Sequence, residues 1–428
     1  MSYQEYTDSR GSVLYWTPPK EHQNNSDRVL GMDLDFTIIR PIKGKIFPVD
    51  KHDWQFLGDL TPIQKYINSG GYKFVIFTNQ AGLASKKTGN MDIEDFKSRW
   101  ENDIYPKLKT DFQISSVYLI VALYDDFFRK PTTGMWDFME THLNGDIHVN
   151  RQESLYIGDM AGRKGDHSYS DLMFAVNLGV PFSIPEAFYG SKIPEADPAT
   201  VKLIKNMEMD PKIFNPFKYI AELDKTTRKK LIEDNKKVSS QIKKILSDLK
   251  TRYLIIYVGS QASGKSSFLN NYMDIDAELS KNFIYMSQDK FPGTPAKFIK
   301  TISQNISIGK QHIIIDNTNG TRKTREKLIK LVSGSSNYKT AVIHFTTPKD
   351  VVMHLNAIRT KENNACSLLK LHNPELECDD IHNVPAVAIH TYWKHFELPD
   401  KDLEGFDELY KIDFNPLDHN NKHFLMLL

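Results

Sequence analysis

Short apolar runs alternate along this chain with longer stretches whose apolar residues recur at helical spacing, the pattern of a parallel α/β sheet. In the first half, Arg28 to Met32, Tyr72 to Phe77, Ser116 to Ala122 and Ser154 to Ile157 are predicted strands. Each is rich in β-branched, aromatic or aliphatic residues and ends at a polar one. In open α/β sheets the carboxyl ends of the strands form the ligand crevice, so Asp33, Thr78 and Asp159 are expected to converge there. A second α/β pattern follows, with strands predicted over Tyr253 to Val258, Phe283 to Met286, His312 to Ile315 and Thr340 to Phe345. The chain has no internal repeat and no low-complexity tract.

Two stretches separate these patterns. The Pro-rich segment from Pro181 to Pro216 predicts a boundary or an irregular surface segment. From Lys225 to Arg252 there are ten Lys or Arg against only Glu233, Asp234 and Asp248, while Leu231, Val238, Ile242, Ile245 and Leu249 fall at helical spacing. This predicts an amphipathic connecting helix whose basic face is either solvated or an electrostatic track for phosphates.

Composition narrows the class. The 428 residues suggest two or three units, each able to bury a core, and 40% hydrophobic content excludes a fully disordered chain. The 55 basic and 54 acidic side chains leave a net charge of +1, so any nucleic-acid surface must be locally basic. Two cysteines, Cys366 and Cys378, are too few for a disulfide framework and argue against a cysteine-based zinc site. The polar, acidic start and the lack of a long apolar run predict a soluble, intracellular protein with no membrane span.

The strongest motif opens the second half. Gly259-Ser260-Gln261-Ala262-Ser263-Gly264-Lys265-Ser266-Ser267 follows a predicted strand and precedes the helix-like Ser267 to Tyr272, with the full spacing of a P-loop. Its glycines let backbone N–H groups wrap the phosphates of a nucleotide at a positive helix terminus. Lys265 would neutralise the β and γ phosphates, and the Ser266 hydroxyl would complete a Mg2+ shell. Asp289, just past the Phe283 to Met286 strand, is the candidate base for an attacking hydroxyl, although its spacing equally suits a turn or cap residue. Asp316, in Asp-Asn-Thr-Asn, is placed to organise the metal, its waters or the substrate site. Arg359 lies in a predicted helix, either as a lid over the transferring phosphoryl group or as a surface charge.

A second chemical centre is Asp33-Leu34-Asp35-Phe36-Thr37. Two carboxylates one residue apart can divide labour, Asp33 attacking phosphorus and Asp35 protonating the leaving oxygen and then activating water. Such a pair is also common in turns, so its partners decide. Thr78 would hydrogen-bond the phosphoryl oxygens, and Lys130 would neutralise charge developing on phosphorus. Asp159 would bind Mg2+ beside Asp33 and the Asp35 carbonyl, and Asp171 is a further acidic candidate or a helix cap.

This constellation resembles the haloacid dehalogenase phosphatases, and its union with a P-loop resembles the bifunctional polynucleotide kinase 3'-phosphatase family. The resemblance extends through Gly44-Lys-Ile-Phe-Pro48, Gly71 to Gln80, Arg129 to Asp137, Gly158 to Arg163, Ile315 to Asn319 and the ending from Phe396 to Phe406. It implies an α/β fold of two domains, a haloacid dehalogenase-like Rossmannoid parallel sheet followed by a P-loop kinase domain. The implied division is an N-terminal extension over 1–27, a 3'-phosphatase over 28–220, the connecting helix over 221–251 and a 5'-kinase over 252–428. No counterpart of the forkhead-associated, phosphopeptide-binding domain of animal members is expected.

The implied activity is repair of DNA ends, with removal of a 3'-phosphate through an aspartyl phosphate and ATP-dependent phosphorylation of a 5'-hydroxyl. Asp33, Asp35, Thr78, Lys130 and Asp159 match the phosphatase positions, and Lys265, Ser266, Asp289 and Arg359 the kinase ones. Nuclear residence, DNA repair proteins as partners and a monomeric state accompany the resemblance, with cytoplasmic residence as the alternative. Phe36 stands where a glycine is usual, Gln288 where a basic residue is common, and an acidic insertion over roughly Asn373 to Asp380 lengthens the lid region. Competing readings keep the chemistry but direct it to RNA ends or small phosphorylated metabolites, or make the chain a DNA-binding adaptor. The intact carboxylates and P-loop argue against the adaptor.

Overall fold

The computed structural model describes residues 3–42, 48–85, 91–163, 165–190, 214–269, 273, 275–335, 337–372, 384–416, 424–426 and 428. Two compact units divide the chain, one of Met1–Ile213 with Thr360–Ile381 and Met426–Leu428, the other of Phe214–Arg359 with His382–Leu425.

The first unit is built on a seven-stranded sheet, in the order Gln4–Asp8, Gly11–Trp16, Val117–Ala122, Lys73–Asn79, Val29–Met32, Leu155–Ile157 and Phe182–Ser183. All four predicted strands are present. The last five run parallel, with Gly31 paired to Val75 and Tyr156, which sets the carboxyl ends of three strands side by side. The sheet is nevertheless mixed rather than parallel throughout, because Gln4–Asp8 and Gly11–Trp16 form an antiparallel hairpin that pairs with Val117–Ala122. The expected 1–27 extension is therefore part of the sheet: Val13, Leu14 and Trp16 are buried in its two cores, and burying each side chain of that size contributes about 1.5 to 3 kcal/mol. The Pro-rich segment does not begin a boundary at Pro181, since Phe182–Ser183 completes the sheet and helix Pro185–Tyr189 follows; residues 191–213 lie outside the described residues.

The second unit carries a wholly parallel five-stranded sheet in the order Phe283–Ser287, His312–Asp316, Arg252–Val258, Tyr338–Phe345 and Glu408–Ile412. The four predicted strands form its first four members. The basic stretch is the helix Lys225–Ser247, capped by Asp224, whose carboxylate accepts from the N–H groups of Thr226 and Thr227. It is not a free connector. Ile242, Ile245 and Leu246 are buried in the core of the second unit, and Asn235 exchanges two hydrogen bonds with the backbone of Asp413. Leu249 falls beyond the helix and is exposed, so Leu246 takes the position expected for it. Lys229, Lys230, Lys236 and Lys237 face solvent.

Among the described residues no helix is long and apolar enough to cross a membrane. Cys366 is disulfide-bonded, one bridge and not a framework; Cys378 lies outside the described residues.

Candidate active sites

Three parallel strands deliver the first site. Val29–Met32 ends at Asp33, Lys73–Asn79 carries Thr78, and Leu155–Ile157 leads to Gly158-Asp159. Asp33 is tied to the last of these by its N–H, which donates to the Ile157 carbonyl at 2.9 Å. Lys130 arrives from another loop, fixed there by Asn79: the Lys130 N–H donates to Asn79 Oδ1, and Asn79 Nδ2 donates to the Lys130 carbonyl, both at 3.0 Å.

The Lys130 ammonium is buried and shared between two carboxylates, 2.5 Å from Asp33 Oδ1 and 2.7 Å from Asp171 Oδ1. It also donates to the Tyr156 hydroxyl at 3.0 Å, and that hydroxyl donates to Asp171 Oδ1 at 3.0 Å. The other Asp171 oxygen accepts from the Met160 N–H at 3.0 Å. Asp171 is thus not a helix cap. It orients the lysine, with its acceptor sites already engaged. Gly158 permits this approach, because a Cβ there would lie 2.4 Å from the Asp171 side chain.

Asp33, Asp159 and Asp171 each offer an oxygen within 4.8 Å of the others, against the single ammonium of Lys130. Burial, followed by repulsion among these carboxylates, raises the pKa values of Asp33 and Asp159. Burial opposes the charge on Lys130, yet Asp171 and Asp33 together raise its pKa. An excess of negative charge held in hard oxygen donors fits a divalent cation such as Mg2+. Asp33, Asp159 and the Asp35 carbonyl would hold it.

Asp35 is half-buried, and its Oδ2 accepts from Gln80 Nε2 at 2.6 Å; the same nitrogen lies 3.0 Å from Thr78 Oγ1. Gln80 thereby links the Asp35 carboxylate to the Thr78 hydroxyl. Phe36 has φ +56°, which explains why glycine is usual there: a bulky side chain is rarely held in left-handed backbone. Asp171 was ambiguous in sequence, while Asn79, Gln80 and Tyr156 carried no predicted role; the first two lay inside the resemblance to Gly71–Gln80, and Tyr156 read only as an apolar strand residue.

In the second unit, the P-loop lies between Arg252–Val258 and the helical turn Lys265–Ser267. Gly264 and Ala262 both have left-handed backbone, at φ +88° and +55°. Lys265 Nζ folds onto the loop's own carbonyls, at 3.0 Å from Gly259 and 2.7 Å from Ser260. Burial lowers its pKa to about 8, with Asp316 and Asp289 opposing the shift and the positive charge of Arg359 adding to it. The last effect sets Arg359, in helix Lys349–His372, within electrostatic reach of the phosphate-binding lysine.

Ser266 Oγ donates to Asp316 Oδ2 at 2.7 Å, and the Tyr285 hydroxyl donates to the same oxygen. The pairing places Asp316 at the metal end of the phosphate cradle, beside Ser266. Asp289 is exposed in the turn after Phe283–Ser287. It lines a cleft of about 930 Å³ shared with Gln261, Gln288, Asn317, Thr321 and Tyr392. Gln288 is held by Asn317, whose Oδ1 accepts its N–H at 3.0 Å. The acidic insertion over 373–380 and the match at 44–47 lie outside the described residues.

Comparison with known proteins agrees with these two centres. Residues 28–189 match a family model described as polynucleotide kinase 3 phosphatase, and residues 254–374 one described as an AAA domain. The chain is 26% identical to a bifunctional polynucleotide phosphatase/kinase of Schizosaccharomyces pombe, over 91% of this chain and 80% of that protein. It is 27% identical to a putative bifunctional polynucleotide phosphatase/kinase of Acanthamoeba polyphaga mimivirus, over 92% and 86%. A polynucleotide 3'-phosphatase of Saccharomyces cerevisiae is 28% identical over 40% of this chain and 90% of its own. With a phosphatase centre preceding a P-loop centre, and relatives that share this order over nine-tenths of its length, the chain belongs to the bifunctional polynucleotide phosphatase/kinase family.

Proposed function

We propose that this protein heals DNA ends, hydrolysing a 3'-phosphate in its first unit and phosphorylating a 5'-hydroxyl in its second, so that a ligase can join the strands. The observation that carries the reading is the Asp33–Lys130–Asp171 clamp in one unit and an intact phosphate cradle in the other. Small-metabolite chemistry would need neither centre to accept a polymer, whereas the cleft beside Asp289 is open enough for a chain end.

In the phosphatase, an Asp33 carboxylate oxygen attacks phosphorus as the bond to O3' breaks, and Asp35 supplies the proton that O3' takes up. Lys130 offsets charge on the phosphoryl oxygens, and Thr78 Oγ donates to one of them. Asp35, now a carboxylate held by Gln80, next takes a proton from water as that water attacks phosphorus and releases Asp33. Bound Mg2+ would supply further charge neutralisation at the phosphoryl group.

In the kinase, backbone N–H groups of the P-loop and Lys265 bind the ATP phosphates, and Ser266 with Asp316 would hold Mg2+. Asp289 accepts the proton of the 5'-hydroxyl as the hydroxyl oxygen attacks the γ phosphorus and the bond to the β–γ bridging oxygen breaks, releasing ADP. Arg359 closes the charge balance around the transferring group.

The test offers an oligonucleotide bearing a 3'-phosphate and a 5'-hydroxyl, as DNA and as RNA, with Mg2+ and ATP, beside sugar phosphates. Faster turnover of both ends of the DNA supports the reading. Preference for RNA ends replaces the DNA assignment, and preference for the sugars removes the polynucleotide one.

A further inference from the structure

Helix Pro185–Tyr189 is little more than one turn long, yet it bonds to both segments that bear the acidic side chains of the first site. It follows the strand Phe182–Ser183, which pairs with Leu155–Ile157, and the Gly158 N–H donates to the Ser183 carbonyl at 3.2 Å. The helix therefore leaves the sheet level with Gly158-Asp159.

Glu186 and Tyr189 lie three residues apart, on one face of the turn. Glu186 Oε2 accepts from Arg163 Nη1 at 3.1 Å, and Arg163 Nη2 donates to the Asp159 carbonyl at 2.8 Å. The rest of the guanidinium is held by Asp166, whose two oxygens accept from Arg163 Nε at 3.2 and 2.9 Å. Asp166 also accepts from the N–H groups of Ala161 and Arg163, at 3.0 and 2.9 Å, which ties the backbone after Asp159 to the same arginine. Because Arg163 bonds to the carbonyl of Asp159 and not to its carboxylate, it fixes the backbone that carries the carboxylate without competing for it. At the other end of the turn, the buried Tyr189 hydroxyl donates to the Thr37 carbonyl at 3.1 Å, in the segment that carries Asp33 and Asp35.

A cation site here needs such a brace. Hydrogen bonding sets neighbouring strands about 4.8 Å apart, but Asp33 and Asp159 stand beyond the ends of theirs. Their carboxylates and that of Asp171 offer oxygens within 4.8 Å of one another and repel. Mg2+ demands near-ideal octahedral geometry with oxygens about 2.0 to 2.1 Å away, so ligand segments that drift apart lose it. Partners outside the ligands hold such geometry.

We propose that helix Pro185–Tyr189 is a strut that sets the spacing of the two cation-binding segments, bracing Asp159 through Glu186 and Arg163 and the Asp33–Thr37 segment through Tyr189. This rests on the Mg2+ site of the 3'-phosphatase reading above. Arg163, Glu186 and Tyr189 act through other residues and are positioning residues.

The experiment titrates Mg2+ into the full-length protein without ATP and follows two readouts, the melting temperature and phosphate release from a DNA oligonucleotide 3'-phosphate. The part of the melting shift that disappears in Asp159→Asn belongs to this site. Arg163→Gln is expected to raise the half-saturating Mg2+ concentration about 10- to 100-fold in both readouts, with kcat at saturating Mg2+ within about threefold of the wild type. Tyr189→Phe, which leaves Arg163 and its partners in place, should move the half-saturation in the same direction. A merely structural role would lower the melting temperature equally at every Mg2+ concentration. An unmoved half-saturation in either variant overturns the proposal, as does a wild type whose melting temperature does not respond to Mg2+. If Arg163→Gln fails to fold, Glu186→Gln takes its place and is judged in the same way. A wild type that is stabilised by Mg2+ but releases no phosphate overturns the phosphatase reading, and the strut is then judged on the melting curves.

Discussion

Lys130 stands between Asp33 and Asp171, 2.5 Å from one carboxylate and 2.7 Å from the other, with almost no solvent access to any of the three side chains. A single ammonium thus fixes Asp33, the proposed nucleophile, and is itself fixed by Asp171. Asp171→Asn keeps the shape but removes the charge that anchors the lysine and turns one of the two accepting oxygens into a donor. Lys130→Met removes the ammonium held between Asp33 and Asp171 and leaves those buried carboxylates without it.

Lys130→Met should abolish 3'-phosphate release and destabilise the first unit by roughly 3 kcal/mol, within the range for breaking a buried ion pair. Asp171→Asn should lower kcat while leaving KM nearly unchanged, since it touches the lysine and not the substrate. Release of inorganic phosphate and thermal unfolding of each variant check both expectations. Wild-type kcat in Asp171→Asn would mean that Tyr156 alone suffices to hold Lys130.

Two centres in separate units predict separable activities. Asp33→Asn should lose phosphate release and keep ATP-dependent labelling of 5' ends. Lys265→Ala should do the reverse, reducing labelling by at least about 100-fold, the scale of losing one preorganised charge contact. Both are read on one oligonucleotide carrying both ends. Joint loss in either variant would show that the activities depend on each other.

The residues proposed to meet phosphate stand out in the sequence because their chemistry constrains type and spacing: Asp33 and Asp35 one residue apart, and Gly259 to Ser266 between a strand and a turn. The residues that hold them do not. Asn79 acts on a backbone amide 51 positions away, and Tyr156 and Asp171 act through Lys130, so only folding brings them together. The antiparallel hairpin was missed for a related reason: Gln4–Asp8 is a polar edge strand whose role depends on pairing with Gly11–Trp16, and no periodicity within it signals that. The helix Lys225–Ser247 was placed correctly in sequence, yet its membership in the second unit depends on Ile242, Ile245 and Leu246 finding a core.

Ala262 offers a test of strain in the phosphate cradle. Its φ of +55° costs an L side chain about 1 to 2 kcal/mol relative to glycine, while glycine loses about 0.4 to 1 kcal/mol through the unfolded chain. Ala262→Gly should therefore be neutral or slightly stabilising, with kinase activity retained. Ala262→Val, β-branched in the same conformation, should destabilise by about 1 to 2 kcal/mol and weaken ATP binding. Melting curves with and without ATP separate the two effects. A valine variant as stable as the wild type would mean that the loop relaxes out of the left-handed region.

The crowded carboxylates of the first unit predict how stability depends on pH and on a cation. Asp33 and Asp159 have folded pKa values raised above the ordinary 3.8, so without a cation the folded protein binds more protons than the unfolded chain across the interval between. Their contribution is fully present below 3.8 and is lost as pH rises through the raised values. Without Mg2+, the melting temperature of the first unit should fall as the medium moves from acidic to mildly alkaline. Added Mg2+ replaces the missing protons, so the stabilisation it confers should grow over the same interval. Asp159→Asn should flatten both trends and abolish phosphate release, because it removes one charge and one ligand together. Melting curves across that interval, with Mg2+ and with a chelator, measure the slope, and a magnesium effect independent of pH would place the ion elsewhere than between Asp33 and Asp159.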